Sequence, residues 1–195
     1  AEVEQTWGAV VPTHHGYAID EIAGAIEVGE VKVLYLESTL AREAENSPEL
    51  LAALPKLDFL IYAGAFDSPI AQTADVVLPR ALSLEVDGTF TSFDRTVQRV
   101  RSAVLAAGEA RSTGAIVSGI AQRMGFPLEW LPVAGVMDEI GSIVPEYGGV
   151  NFARLERDGL NVPVSNFADP GVSILVPGPD GLASLSPAFV SMAAD

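Results

Sequence analysis

The chain has 195 residues, 49% of them hydrophobic, with 26 acidic against 11 basic side chains and a net charge of −15. That apolar content suffices for a packed core, while the negative balance argues against electrostatic capture by nucleic acid or by an anionic membrane surface. Cysteine is absent, so thiolate-held iron–sulfur clusters, cysteine zinc sites and disulfides are excluded within these residues.

Along the chain, Ile22, Ala25 and Ile26 lie at helical spacing and Gly29 follows where a helix stops, which predicts a first helix over residues 20–28. Val31, Val33, Leu34, Tyr35 and Leu36 then form an apolar run of the kind buried on both faces of a parallel sheet. Ser47-Pro48-Glu49 reads as an N-cap, a first-turn proline and an acid at the positive helix end, leading into Leu50, Leu51 and Leu54. Phe59-Leu60-Ile61-Tyr62 supplies a second strand, and strand–helix–strand at this spacing is a right-handed crossover of a parallel sheet. Residues 74–79 (ADVVLP) suit a third parallel strand ended by Pro79. Residues 85–101 predict short strands or a hairpin around Ser92-Phe93-Asp94. Residues 109–124 predict a long amphipathic helix and residues 136–144 another.

Beyond Gly159 the chain is rich in proline, glycine and serine, with turn signals at Pro170-Gly171, Pro177-Gly178 and Pro179-Asp180-Gly181 and one strand candidate at residues 173–176. The expected architecture is therefore α/β: an open, mainly parallel sheet with flanking helices over residues 1–159, then an irregular tail with short strands over residues 160–195. No apolar run approaches the ~18–20 residues of a membrane span, and the opening AEVEQTWGAVVP lacks the flank and core of a secretory signal. A cytoplasmic protein without membrane insertion is expected, and the alanine at position 1 suggests a fragment that enters a fold partway.

Candidate chemistry is sparse. His14 and His15 are adjacent, so their rings point apart and make a poor metal pair. Asp75, Glu85 and Asp87 are the acids that acid–base work would draw on, but acids beside glycine in loops more often hold turns. No Gly-x-Gly-x-x-Gly run follows a strand and no Gly-Lys-Ser/Thr phosphate loop occurs. No serine sits in a Gly-x-Ser-x-Gly elbow. Trp7 and Trp130 read as core or edge packing.

One series stands out. Ala74-Asp75-Val76-Val77-Leu78-Pro79, Glu85, Gly88-Thr89-Phe90-Thr91-Ser92 and Arg95-Thr96-Val97-Gln98-Arg99-Val100 resemble, in order and spacing, the ADVVLP, glutamate, GTFTN and RxVQ elements of the molybdopterin oxidoreductase family. The similarity runs over roughly residues 16–160. The family includes formate dehydrogenase catalytic subunits and the large iron–sulfur subunit of NADH:quinone oxidoreductase, complex I. The resemblance implies the later part of such a subunit, with iron–sulfur clusters carried upstream.

Active members carry Gly-x-Asn-Pro after the first of these strands, where this chain has Glu37-Ser38-Thr39-Leu40; after the next strand they carry an aspartate and Thr-Glu-Thr, where this chain reads Ala63-Gly64-Ala65-Phe66-Asp67-Ser68-Pro69. Glu37 is expected to repel a dinucleotide's phosphates, and Ser92 stands where the family has asparagine. The first expectation is thus a cofactor-free structural portion of the large peripheral-arm subunit of complex I, without catalytic or metal-binding residues. Its partners would be other subunits of a respiratory complex, at the inner face of the membrane. Asp75, Glu85, Gly88, Thr89, Arg95 and Gln98 would hold loop to sheet, with a turn at Gly88, a Thr89 hydroxyl on the backbone and an Arg95 fork to Glu85. The alternative is the molybdopterin guanine dinucleotide-binding part of a formate dehydrogenase-type molybdenum or tungsten oxidoreductase, with Ser38, Gly64, Thr89 and Ser92 as the contacts.

Overall fold

A computed structural model describes residues 2–18, 20–38, 47–129, 131–172, 176–177 and 183–184. In chain order the helices are α1 (Glu2–Trp7), α2 (Ile22–Glu27), α3 (Pro48–Ala53), α4 (Pro69–Thr73), α5 (Thr113–Arg123), α6 (Val133–Ile143) and α7 (Phe152–Leu155). The strands are β1 (Val33–Ser38), β2 (Phe59–Gly64), β3 (Val76–Pro79), β4 (Gly88–Thr91), β5 (Thr96–Val100), β6 (Leu160–Asn161), β7 (Val176–Pro177) and β8 (Ala183–Ser184). They belong to two compact units, residues 10–87 with 101–130 and residues 1–9 with 88–100 and 131–195. Among the described residues no helix is long and apolar enough to cross a membrane.

The first unit is built on a parallel sheet of order β1-β2-β3. Leu34 pairs with Leu60 and Leu36 with Tyr62, so these four share one face, since side chains alternate along a strand. Buried Ala23, Ile26, Leu50, Ala53, Leu54 and Ile70 from α2, α3, α4 and the 3-10 turn at Leu54–Lys56 cover that face together with Leu60 and Tyr62. Caps set the helix starts. Ser47 Oγ accepts from the amide of Leu50 (3.3 Å) ahead of Pro48, and Ser68 Oγ accepts from the amide of Ala71 (3.1 Å) ahead of Pro69. Sequence reasoning used the first of these Ser-Pro pairs and passed over the second, although the signal is the same.

Helix α5 begins at Thr113 rather than near residue 109. Arg111 is drawn into the sheet instead: its amide donates to Pro79 O (3.1 Å) and its carbonyl accepts from Ala81 N (2.8 Å), forming a parallel bridge with Arg80. Ser112 then caps the helix, its Oγ accepting from Ala115 N at 3.3 Å.

In the second unit β4, β5 and β6 form an antiparallel sheet of that order. Val97, Met137, Val150, Leu155, Leu160, Val162 and Val164 make its buried core. The chain beyond Gly159 returns to this sheet, Leu160 pairing with Val97. Trp7 is 57% exposed and its Nε1 donates to Glu139 at 3.0 Å, so it is not a core residue. Trp130, residues 173–175 of the strand candidate and the turn signals at 178–181 lie outside the described residues.

Asp169 organises the end of this unit. Its carboxylate accepts from Ser165 N (2.9 Å), Ser165 Oγ (3.0 Å) and Gly171 N (2.9 Å). The amides of Ser165 and Gly171 hold its carboxyl below the ordinary value of 3.8. A depressed folded-state value means stability that is present above about pH 4 and lost as pH falls through the folded value. Asp169→Asn should therefore lower stability near neutrality by on the order of 1 kcal/mol, given its partial exposure. The variant should also flatten the acid limb of the stability–pH curve; coincident acid limbs for variant and parent in urea titrations would contradict this.

Candidate functional site at the carboxyl end of the parallel sheet

In an open parallel sheet the carboxyl ends of the strands form the ligand-binding edge. Here that edge carries Glu37 and Ser38 from β1, Gly64 from β2, and Arg80 just after β3. Ser38 and Gly64 are register partners, so two of the sequence-predicted cofactor contacts are neighbours. Thr39 and Leu40 lie outside the described residues.

Glu37 is not an isolated charge. Arg80 Nε lies 2.7 Å from Glu37 Oε1, with the two side chains only 17% and 24% exposed respectively. The Thr113 hydroxyl donates to the same Oε1 (2.7 Å) and accepts from Arg80 Nε (2.9 Å). Tyr35 OH reaches Glu37 Oε2 at 3.4 Å. Burial, and then the Glu37 carboxylate, push the Tyr35 phenol above its ordinary value of 10.0, with Arg80 opposing. The expectation that Glu37 would repel phosphates is thus corrected, because a guanidinium compensates its charge at contact distance. Among the described residues only the Nε edge of Arg80 is engaged. The paired Nη donors, which match phosphate oxygens in a fork, remain unused beside the amino end of α5, where backbone amides and the helix dipole also favour anions.

On the opposite face of β2, Tyr62 runs along the strand toward Gly64. A Cβ placed on Gly64 would meet the Tyr62 hydroxyl, with ring atoms Cε1 and Cζ at 2.5 Å. Glycine is needed here for close approach rather than for turn geometry. Tyr62 is 1% exposed, and its hydroxyl is a buried polar group without a hydrogen-bond partner.

The remaining motif residues hold backbone. Asp75 Oδ2 accepts from Leu60 N (2.7 Å) and so ties β3 to β2. Glu85 accepts from Leu82 N (2.7 Å) and Ala107 N (3.1 Å), and Asp87 from Ser102 N (3.1 Å). In the second unit Arg95 stands in the left-handed region (φ 67°) at the β4–β5 turn and donates through Nη1 to Val162 O at 2.6 Å. The expected Arg95 fork to Glu85 is therefore not what forms. Gly88 opens β4 opposite Val100 without positive φ, and a Cβ there would meet open space, so it supplies no tight turn. The Thr89 hydroxyl faces Met137 sulfur at 4.0 Å rather than a backbone group. Ser92 Oγ donates to Asp94 and also reaches Thr96 O (3.2 Å), closing the hairpin. Gln98 is exposed on β5 opposite Phe90. His14 and His15 are exposed, and among the described residues no group of three or more His, Cys, Asp or Glu side chains converges as a metal cage would need.

The model of the family described as molybdopterin oxidoreductase matches residues 2–123. The chain belongs to the molybdopterin oxidoreductase family. It is 37% identical over 166 residues to the F420-dependent formate dehydrogenase 2 subunit alpha of Methanococcus maripaludis, a match covering 81% of this chain and 24% of that subunit. To the F420-dependent formate dehydrogenase 1 subunit alpha of the same organism it is 35% identical over 190 residues, covering 93% of this chain and 28% of the relative. Among solved structures, acetylene hydratase from Pelobacter acetylenicus superposes with a TM-score of 0.57 at 23% identity, over 89% of this chain and 25% of that one, a likeness of fold. The chain thus spans about a quarter of the length of these relatives. They are named as formate dehydrogenase subunits, so the expected assignment to complex I is not what the relatives support.

Sequence reasoning missed Arg80 and Thr113. The available signal was positional: Arg80 directly follows the proline that ends the third parallel strand, and Thr113 follows a capping serine.

Proposed function

We propose that this chain is the dinucleotide-holding part of a formate dehydrogenase-type molybdenum or tungsten oxidoreductase. The observation that carries the reading is the Arg80 guanidinium at the carboxyl end of the sheet, fixed by Glu37 and Thr113 along its Nε edge and with its Nη donors not hydrogen-bonded to any of the described residues. A molybdopterin guanine dinucleotide fits this donor set. Its phosphates call for a forked cation and helix amides. The chemistry supplied by the group when bound is redox turnover at its metal.

The role of this chain's residues is binding and orientation. Arg80 would hold phosphate, Glu37 and Thr113 would keep the guanidinium from swinging away, and Ser38 would stand beside Gly64 where the ligand passes. The similarity to formate dehydrogenase alpha subunits supports this reading.

The test is analysis of the purified complete oxidoreductase for molybdenum, tungsten and acid-released guanine nucleotide. Near-stoichiometric metal with about two or fewer guanine nucleotides per polypeptide is expected. Preparations that oxidise NADH while holding neither metal nor guanine nucleotide would overturn the reading in favour of the complex I alternative.

A further inference from the structure

Val33 pairs with Phe59, and Tyr35, Ile61 and Val76 are register partners across β1, β2 and β3. Side chains alternate along a strand, so these five share the face of the parallel sheet that carries Glu37, opposite the face covered by α2, α3 and α4. A sheet with one face in water reads apolar and polar in turn, whereas a parallel sheet covered on both faces reads apolar throughout. The strands here are of the second kind: Val33-Leu34-Tyr35-Leu36 and Phe59-Leu60-Ile61-Tyr62 show no such alternation. Cover on the Glu37 face is nevertheless partial. At the carboxyl end Ala63 is 0% exposed and Thr113 of α5 bonds to Glu37; in the middle Tyr35, Ile61 and Val76 are half-buried; at the amino end Phe59 is 39% and Val33 60% exposed. Single exposed apolar side chains are ordinary on protein surfaces. A phenylalanine on the central strand of a parallel sheet, in one row with an exposed valine, is not.

We propose that the amino-end half of this face is an interface, and that its occupant is an amphipathic helix from the remainder of the same oxidoreductase polypeptide. The inference rests on the reading above that these residues belong to a larger oxidoreductase. Three considerations select the occupant. This chain spans about a quarter of the length of the formate dehydrogenase subunits it matches, so a single subunit holds ample further chain. Parallel sheets take their covering helices from crossover connections of their own chain. The row from Val33 through Phe59 to Tyr35, Ile61 and Val76 contains no charged side chain, the composition of a permanent contact rather than of a transient one.

The experiment places the photoreactive residue p-benzoylphenylalanine at position 33 or, separately, at position 59 of the complete oxidoreductase, irradiates the purified enzyme and identifies the linked peptides by mass spectrometry. Both positions are expected to capture one segment of the same polypeptide outside these 195 residues, with apolar residues recurring every three or four positions. Mixing isotope-labelled with unlabelled enzyme separates capture within one polypeptide from capture of a second copy. Links confined to these residues, links to a second copy or to another subunit, or no link at either position would overturn the proposal. A second measurement needs no bulky probe. Val33→Asp, harmless at a site open to water, should lower the melting temperature of the complete enzyme because it buries a charge at the contact, whereas Val33→Ile should leave it unchanged; an aspartate variant that melts with wild type would refute the contact. Neither readout depends on bound cofactor. An enzyme that lacks molybdenum, tungsten and guanine nucleotide yet gives the expected links would overturn the function proposed above and leave the interface standing.

Discussion

Arg80→Ala in the complete oxidoreductase should leave most polypeptides without guanine nucleotide or metal after gel filtration, with retention weakened about 10- to 100-fold. That is the range for a charge-assisted hydrogen bond to phosphate, roughly 1.5 to 3 kcal/mol. Truncation also leaves Glu37, only 24% exposed, without the cation that compensates it, so some loss of folding stability accompanies the loss of ligand. The two effects separate in a second variant. Arg80→Ala combined with Glu37→Gln removes the stranded charge and should recover much of the stability while recovering none of the nucleotide. Arg80→Lys should fall between, since an ammonium keeps the charge but not the fork and cannot reproduce the Nε contact with Thr113. Full nucleotide content in Arg80→Ala would show that the guanidinium serves the sheet alone.

The same cluster shows what was and was not legible in the sequence. The three parallel strands were, because each is a short apolar run bounded by glycine, proline or a cap, and these are local signals. The hairpin around Ser92 was legible for the same reason. The partnership of Glu37 with Arg80 was not: 43 positions separate them (80 minus 37), and they meet only because β1 and β3 flank β2 in the register Glu37–Ala63–Leu78. A charge counted from sequence alone carries no information about its counterion, so Glu37 read as a repulsive group and led toward a cofactor-free protein. The Arg95–Glu85 fork failed for a related reason. Both side chains found backbone partners close to their own elements, Val162 O for Arg95 and the amides of Leu82 and Ala107 for Glu85. Sequence spacing identifies which residues belong to a motif; the partner of each is decided by tertiary pairing.

Gly64→Ala should cost about 1 to 3 kcal/mol of stability, the usual range for forcing a methyl group into a filled site. The obstacle is a rigid ring rather than the end of a flexible chain, since Cε1 and Cζ of Tyr62 stand 2.5 Å from the new methyl position and the hydroxyl is there as well. Shortening the side chain by its oxygen alone therefore gives no room. In a Tyr62→Phe background the alanine should cost nearly as much as in wild type. In a Tyr62→Val background, already weakened by a cavity in the core around Leu60 and Ile70, the additional cost of the alanine should fall close to zero. Chemical denaturation of the four combinations gives the coupling energy directly as a double-mutant cycle. An undiminished alanine penalty in the valine background would mean that the backbone at Gly64, and not the ring of Tyr62, demands glycine. The close approach argued for the carboxyl end of β2 would then lose its physical basis.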